Sequence, residues 1–238
     1  VISEALATEL PNDLTRQRNL SIGYNAVGDA LDEQGDVASA LSAYRKGLAI
    51  REGLVAAYPD KPNLRRDLNI SYDRVGRALR DQGKLAEALP FLRQSLAGAQ
   101  ALAAEDETSA QYRADLAYSI GSLSGLAYHY VLVKAYEDAL KMADEAIALD
   151  PNQIWFHTNR AHALMMLGRE DEARMLYLKY RGATDARPGS SWNELVITDF
   201  AEMRAAGIDH PLMREVESAL EQTHEPAPDA AQANQTAQ

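Results

Sequence analysis

The chain has 238 residues and weighs 26.1 kDa, room for one large domain, two small ones or an elongated array. Hydrophobic residues at 46% and charged residues at 25% place it among folded chains and away from the disordered class. Zero cysteines exclude disulfides, thiolate metal sites and cysteine nucleophiles, and a net charge of −11 repels phosphate backbones and argues against nucleic acid as a partner.

No apolar run approaches the ~20 residues of a membrane span, and no basic segment followed by an apolar one stands at the N-terminus. A soluble, cytoplasmic chain without membrane association is expected. In chain order, the first feature is Glu4-Ala5-Leu6 followed by Pro11, which corresponds, 48 residues on, to Glu52-Gly53-Leu54 followed by Pro59. That correspondence places the start of the chain inside a repeat, and the opening Val1 suggests the C-terminal part of a longer protein.

The 48-residue period then becomes explicit. Residues 20–48 laid over 68–96 give 14 identities in 29 positions without a gap, Gly28, Gln34, Gly35 and Ala40 among them. Within the unit, Tyr24, Val27, Gly28 and Leu31 fall at i, i+3, i+4 and i+7 and predict a helix with one apolar stripe, repeated by Tyr72, Val75, Gly76 and Leu79. Gly35 and Gly83 end these helices, Asp36 offers an N-cap, and a second helix follows with Val37, Ala40, Leu41, Tyr44 and Leu48 on one face, stopped near Pro59. Gly28 and Ala40 allow the two antiparallel helices to approach closely.

Two more units diverge from this pattern. The third carries Leu123, Leu126, Ala127 and Tyr130, then Ala139, Ala143, Ala146 and Pro151; its inter-helix turn has Val133-Lys134 where glycine is expected. The fourth runs through Asn159, Ala161, Leu164 and Gly168 to Ala173 and Tyr177, so that Ala139 and Ala173 are 34 residues apart. A 34-residue helix–turn–helix with small and proline residues at these places resembles the tetratricopeptide repeat. The first two units are similar to its long-helix variants in bacterial and kinesin light chain-like arrays. The resemblance implies an all-α, right-handed superhelical solenoid of antiparallel helix pairs over residues 1–182.

Beyond it, residues 183–191 read as a loop. Leu195, Ile197, Phe200, Met203 and Ala206 predict a helix ended by Gly207, and Asp209 with Pro211 opens a last helix carrying Leu212, Val216 and Leu220. These are expected to be capping helices over residues 183–224, with Trp192 as a packing residue, and 225–238 is expected to be a disordered tail.

Chemistry finds little support. Among His129, His157, His162, His210 and His224 no pair has the i, i+4 spacing of a helical metal site, and no phosphate loop or nucleophile elbow occurs, so neither an enzyme nor a cofactor is expected. The resemblance implies instead a scaffold that binds a protein or peptide segment in a concave groove lined by the first helix of each pair. Candidates there are Asn25, Asp29, Asp73, Arg77, Arg80, Tyr128, Thr158 and His162. The family's carboxylate clamp is matched only at Asn159 and is not carried over. Residues 61–93 hold eight basic residues against four acidic, a local excess of +4. Arg77 and Arg80, a turn apart, would suit an acidic partner segment, unless Asp73 and Asp81 pair with them internally. A regulatory or sensor repeat domain of a larger enzyme or signalling protein, with its catalytic part upstream, is the alternative function; self-assembly through exposed repeat ends is another.

Overall fold

The computed structural model describes residues 13–187 and 189–222. The early segment with Glu4 and Pro11, His224 and the 225–238 tail lie outside the described residues. Among those described the chain is all-helical, with no strand beyond an isolated bridge between Arg187 and Ser190.

The ten helices described are α1 (Leu14–Glu33), α2 (Val37–Ala57), α3 (Pro62–Asp81), α4 (Leu85–Glu105), α5 (Ala110–Leu132), α6 (Tyr136–Leu149), α7 (Phe156–Met166), α8 (Glu170–Lys179), α9 (Trp192–Ala205) and α10 (Pro211–Glu221). They group into two compact units divided inside α5, between His129 and Tyr130.

In the first unit α1 packs on α2, α2 on α3 and α3 on α4. The turns explain the pairing. Gly35 and Gly83 adopt φ of +79° and +74°, a left-handed conformation that closes each helix at little steric cost. Asp36 caps α2 by accepting from the Ser39 N–H at 3.1 Å. The close approach at Gly28 is real: a Cβ there would stand 2.4 Å from the Tyr44 ring, and at Gly76 one would stand 2.6 Å from Leu92. Val75, Leu79, Ala88 and Leu92 are sealed between α3 and α4. The α1 stripe differs from expectation, for Val27 is 53% exposed while Ser21, Asn25 and Gly28 are buried.

Polar links join successive pairs. Arg18 donates to Asp67 at 2.6 Å and Arg66 to Asp115 at 2.5 Å, the same residue types displaced by 48. Arg51, 5% exposed, donates to Ser21 Oγ and Ser71 Oγ, each at 3.0 Å, and to the Asp67 carbonyl at 2.5 Å. Burial pushes its guanidinium down to about 10.

The second unit packs α6 on α7, α7 on α8, and α10 on α8 and α9. Lys134, ahead of α6, has φ of +64° and takes the place that glycine fills in the other turns, including Gly168 at +76°. Ser191 and Glu194 form a reciprocal capping box at α9, a signal overlooked in the sequence. Gly207 ends α9 as expected, but the cap of α10 is His210, whose Nδ1 accepts from the Leu212 N–H, and not Asp209. Trp192 is fully buried and donates through Nε1 to the Tyr177 carbonyl at 2.8 Å. Tyr177, Phe200 and Met203 share one apolar core with it.

Candidate functional site

A cavity of about 540 Å³ lies within the first unit. Its polar wall is α3, where Arg66, Asn69, Ile70, Asp73, Arg74 and Arg77 recur at helical spacing and so share one face. Asp29, Asp32 and Glu33 come from the last turns of α1, and Tyr112, Asp115 and Tyr118 from α5. Tyr44 of α2 and Ala99 and Leu102 of α4 supply the second helices' share.

Two of the three guanidiniums lining it are held at both ends. Arg74 grips Asp29 through two bonds of 2.8 Å, and Arg66 grips Asp115 at 2.5 and 2.9 Å. Burial alone would raise the Asp29 carboxyl; hydrogen bonds from Arg74 and Tyr44 and the charge of Arg77 outweigh it and hold it below the usual range. Arg77 instead stacks over the Tyr118 ring at 5.9 Å, donates to its hydroxyl, and lies 3.9 Å from Asp73.

Asp73 is 4% exposed, and its Oδ1 has no hydrogen-bond partner among the described residues. Burial raises its carboxyl, opposed by a hydrogen bond from Ser122 and the charges of Arg77, Arg80 and Arg74. One turn earlier, Asn69 Nδ2 is likewise buried without a partner.

The left-handed turn residue gives a common register for the expected groove. Six residues before it stand Asp29, Arg77, Tyr128 and His162; ten before it stand Asn25, Asp73, Ser124 and Thr158. The ten-before position is buried in all four units: Asn25 donates to Ser71, and Thr158 to the Trp155 carbonyl. Asn25 and Thr158 are therefore internal, a correction to the groove reading. His162 is also internal at 0% exposure, its ring nitrogens 2.7 Å from the Tyr177 hydroxyl and 3.0 Å from Asp199. Here α9 covers the face that α3 leaves open in the first unit. Asn159 is equally closed at 3% exposure. Asp29, Asp73 and Arg77 come together at the cavity. Arg80 pairs with Asp81 at 2.8 Å, the internal alternative named above, and Tyr128 is half-buried beside His129.

Sequence reasoning missed Arg66, Arg74, Tyr112 and Tyr118. The 48-residue displacement of Arg18 and Asp67 onto Arg66 and Asp115 was the available signal. No group of three or more metal-ligating side chains occurs among the described residues, and no helix described is long and apolar enough to cross a membrane.

Family models for the tetratricopeptide repeat match residues 70–106 and 142–175. These two stretches are tetratricopeptide repeats. Repeats of this kind generally mediate protein–protein interaction and are typically non-catalytic. No curated protein matches the sequence. Among solved structures it is similar to a tetratricopeptide repeat protein from Parabacteroides merdae, at 16% identity over 92% of this chain and 90% of that one, with a TM-score of 0.26.

Proposed function

We propose that the chain is an interaction scaffold that seats a segment of a partner protein in the cavity of its first unit and performs no chemistry itself. The observation that carries this reading is a cavity of about 540 Å³ lined by arginines and tyrosines on the helix face that leads each repeat. Aromatic and arginine side chains of this kind dominate binding energy where proteins meet. The His162–Asp199 pair, the arrangement closest to an acid–base dyad, is sealed from solvent and serves packing.

Random peptides displayed against the chain test the reading, with Tyr118→Ala as the discriminating variant because Tyr118 is 54% exposed and its removal leaves the core intact. Selected peptides are expected to bind the variant at least about tenfold more weakly, with an unchanged circular dichroism spectrum. Equal binding to both proteins overturns the cavity as the partner site.

A further inference from the structure

One side of α1 is bare where the same side of α3 is covered. On α1, Arg16, Asn19, Gly23, Val27 and Ala30 follow one another at intervals of three and four and so share one side of the helix. All five are exposed, Val27 at 53%. Ile22, 43% exposed, and Ala26 widen this side into an uncharged patch, which lies apart from the cavity lining. At the same positions 48 residues on, α3 carries Leu64, Asp67, Ser71, Val75 and Ala78, and all five are buried, at 7% exposure or less. Valine and alanine recur unchanged, so the residue types do not make the difference.

A neighbouring helix does. α4 packs on α3 as α2 packs on α1, and the Arg66–Asp115 bond joins α3 to α5 as Arg18–Asp67 joins α1 to α3. What α3 has in addition is α2. Arg51 of α2 reaches Ser71 Oγ at 3.0 Å and the Asp67 carbonyl at 2.5 Å, the Tyr72 hydroxyl donates to Glu52 at 3.1 Å, and Gln82 Nε2 donates to the Val37 carbonyl at 3.2 Å. Leu41 and Leu48, both buried, fall on the same side of α2 as Val37 and Glu52. Among the described residues no second helix takes α2's place on α1. One half of an interface that the chain itself builds is thus repeated without its mate.

We infer that this side of α1 is a docking site for one amphipathic helix of a partner polypeptide that carries α2's pattern, apolar residues at the spacing of Val37, Leu41 and Leu48 and an arginine three residues after the last. Val27 and Ala30 supply the apolar floor that Val75 and Ala78 supply on α3. The arginine takes the Asn19 carbonyl as Arg51 takes that of Asp67. Helices are recognised in this way through anchors three, four and seven residues apart laid on an apolar surface.

The probe is a fluorescent synthetic peptide of residues 36–58, titrated by anisotropy against the native chain, Val27→Glu and Tyr118→Ala, beside a control peptide with Leu41→Ser and Leu48→Ser. The native chain and Tyr118→Ala are expected to bind the probe equally; Val27→Glu, and the control peptide on the native chain, should each bind at least about tenfold more weakly. Val27→Glu is expected to melt at the native temperature, because the side chain it replaces faces solvent. No binding to the native chain, or equal binding to Val27→Glu, overturns the site. Binding lost in Tyr118→Ala seats the probe in the cavity and likewise overturns it. A native chain whose mass doubles with concentration, and which is monomeric as Val27→Glu, gives the face to a second copy and overturns the partner helix. A Val27→Glu chain that melts several degrees below the native one shows the face already covered by the chain's own residues, with the same consequence.

Discussion

The two units use one helix face in opposite ways. In the first, the position six residues before the turn carries Asp29 and Arg77, half-exposed at the edge of a cavity; in the second the same position carries His162, wholly enclosed and bonded to Tyr177 and Asp199. The difference lies in what covers the face. After α7 and α8 the chain returns with α9, which brings Asp199 and Phe200 onto His162, whereas the polar row of α3 lines a cavity that α1 and α5 wall without filling. A repeat register therefore specifies where a side chain points, and the neighbouring helices decide whether that direction is surface or core.

Substitution at equivalent positions breaks this contrast most directly. His162→Ala leaves a hole and strands two buried polar partners, and is expected to lose about 3 kcal/mol in chemical denaturation. Arg77→Ala should lose less, about 1 kcal/mol, since the arginine is itself half-exposed and its contact with buried Asp73 is long at 3.9 Å. Comparable losses would refute the distinction between a lining and a core position. Next in size is Gly76→Ala, whose Cβ would overlap the Leu92 side chain and press on its backbone nitrogen at 3.2 Å; about 2 kcal/mol of overpacking is expected in the same assay.

Asp73→Asn sharpens the comparison from the other side. Burial raises the Asp73 carboxyl against the pull of Ser122, Arg77, Arg80 and Arg74, so the folded chain holds this proton more tightly than the unfolded chain does. The group's contribution to stability is full below the ordinary aspartate value of 3.8 and is lost as pH rises through the folded value. The amide is therefore expected to add about 1 kcal/mol at pH 7, and melting curves at pH 3.5 should show that gain gone. The smallest effect is Lys134→Gly, which relieves a left-handed lysine and should add about 0.5 kcal/mol by thermal melting.

The helix pairs were legible because glycine, the Asp36 cap and apolar periodicity act locally, and each reads off a few adjacent letters. The groove was legible only where exposure follows polarity, as at Asp29 and Arg77. It failed at Asn25, Thr158 and His162 because a polar residue bonded to a neighbour is as buried as leucine, and periodicity carries no information about the neighbour. Val27 failed in reverse, an apolar letter on an open face. Arg66 and Asp115 needed a partner 49 residues away, visible only when the repeat alignment is carried upstream to Arg18.

That ladder also sets how the array could lengthen. Arg18 and Arg66 each reach an aspartate 49 residues ahead, but the next donor position, 114, is alanine. A duplicate of residues 37–84 spliced in after Lys84 would bring its own arginine and aspartate in phase, so every rung would find a mate. A copy appended beyond α5 would meet Ala114 and close no rung. The side chains thus act as a one-ended fastener: growth by internal duplication is permitted, and growth at the trailing edge is refused.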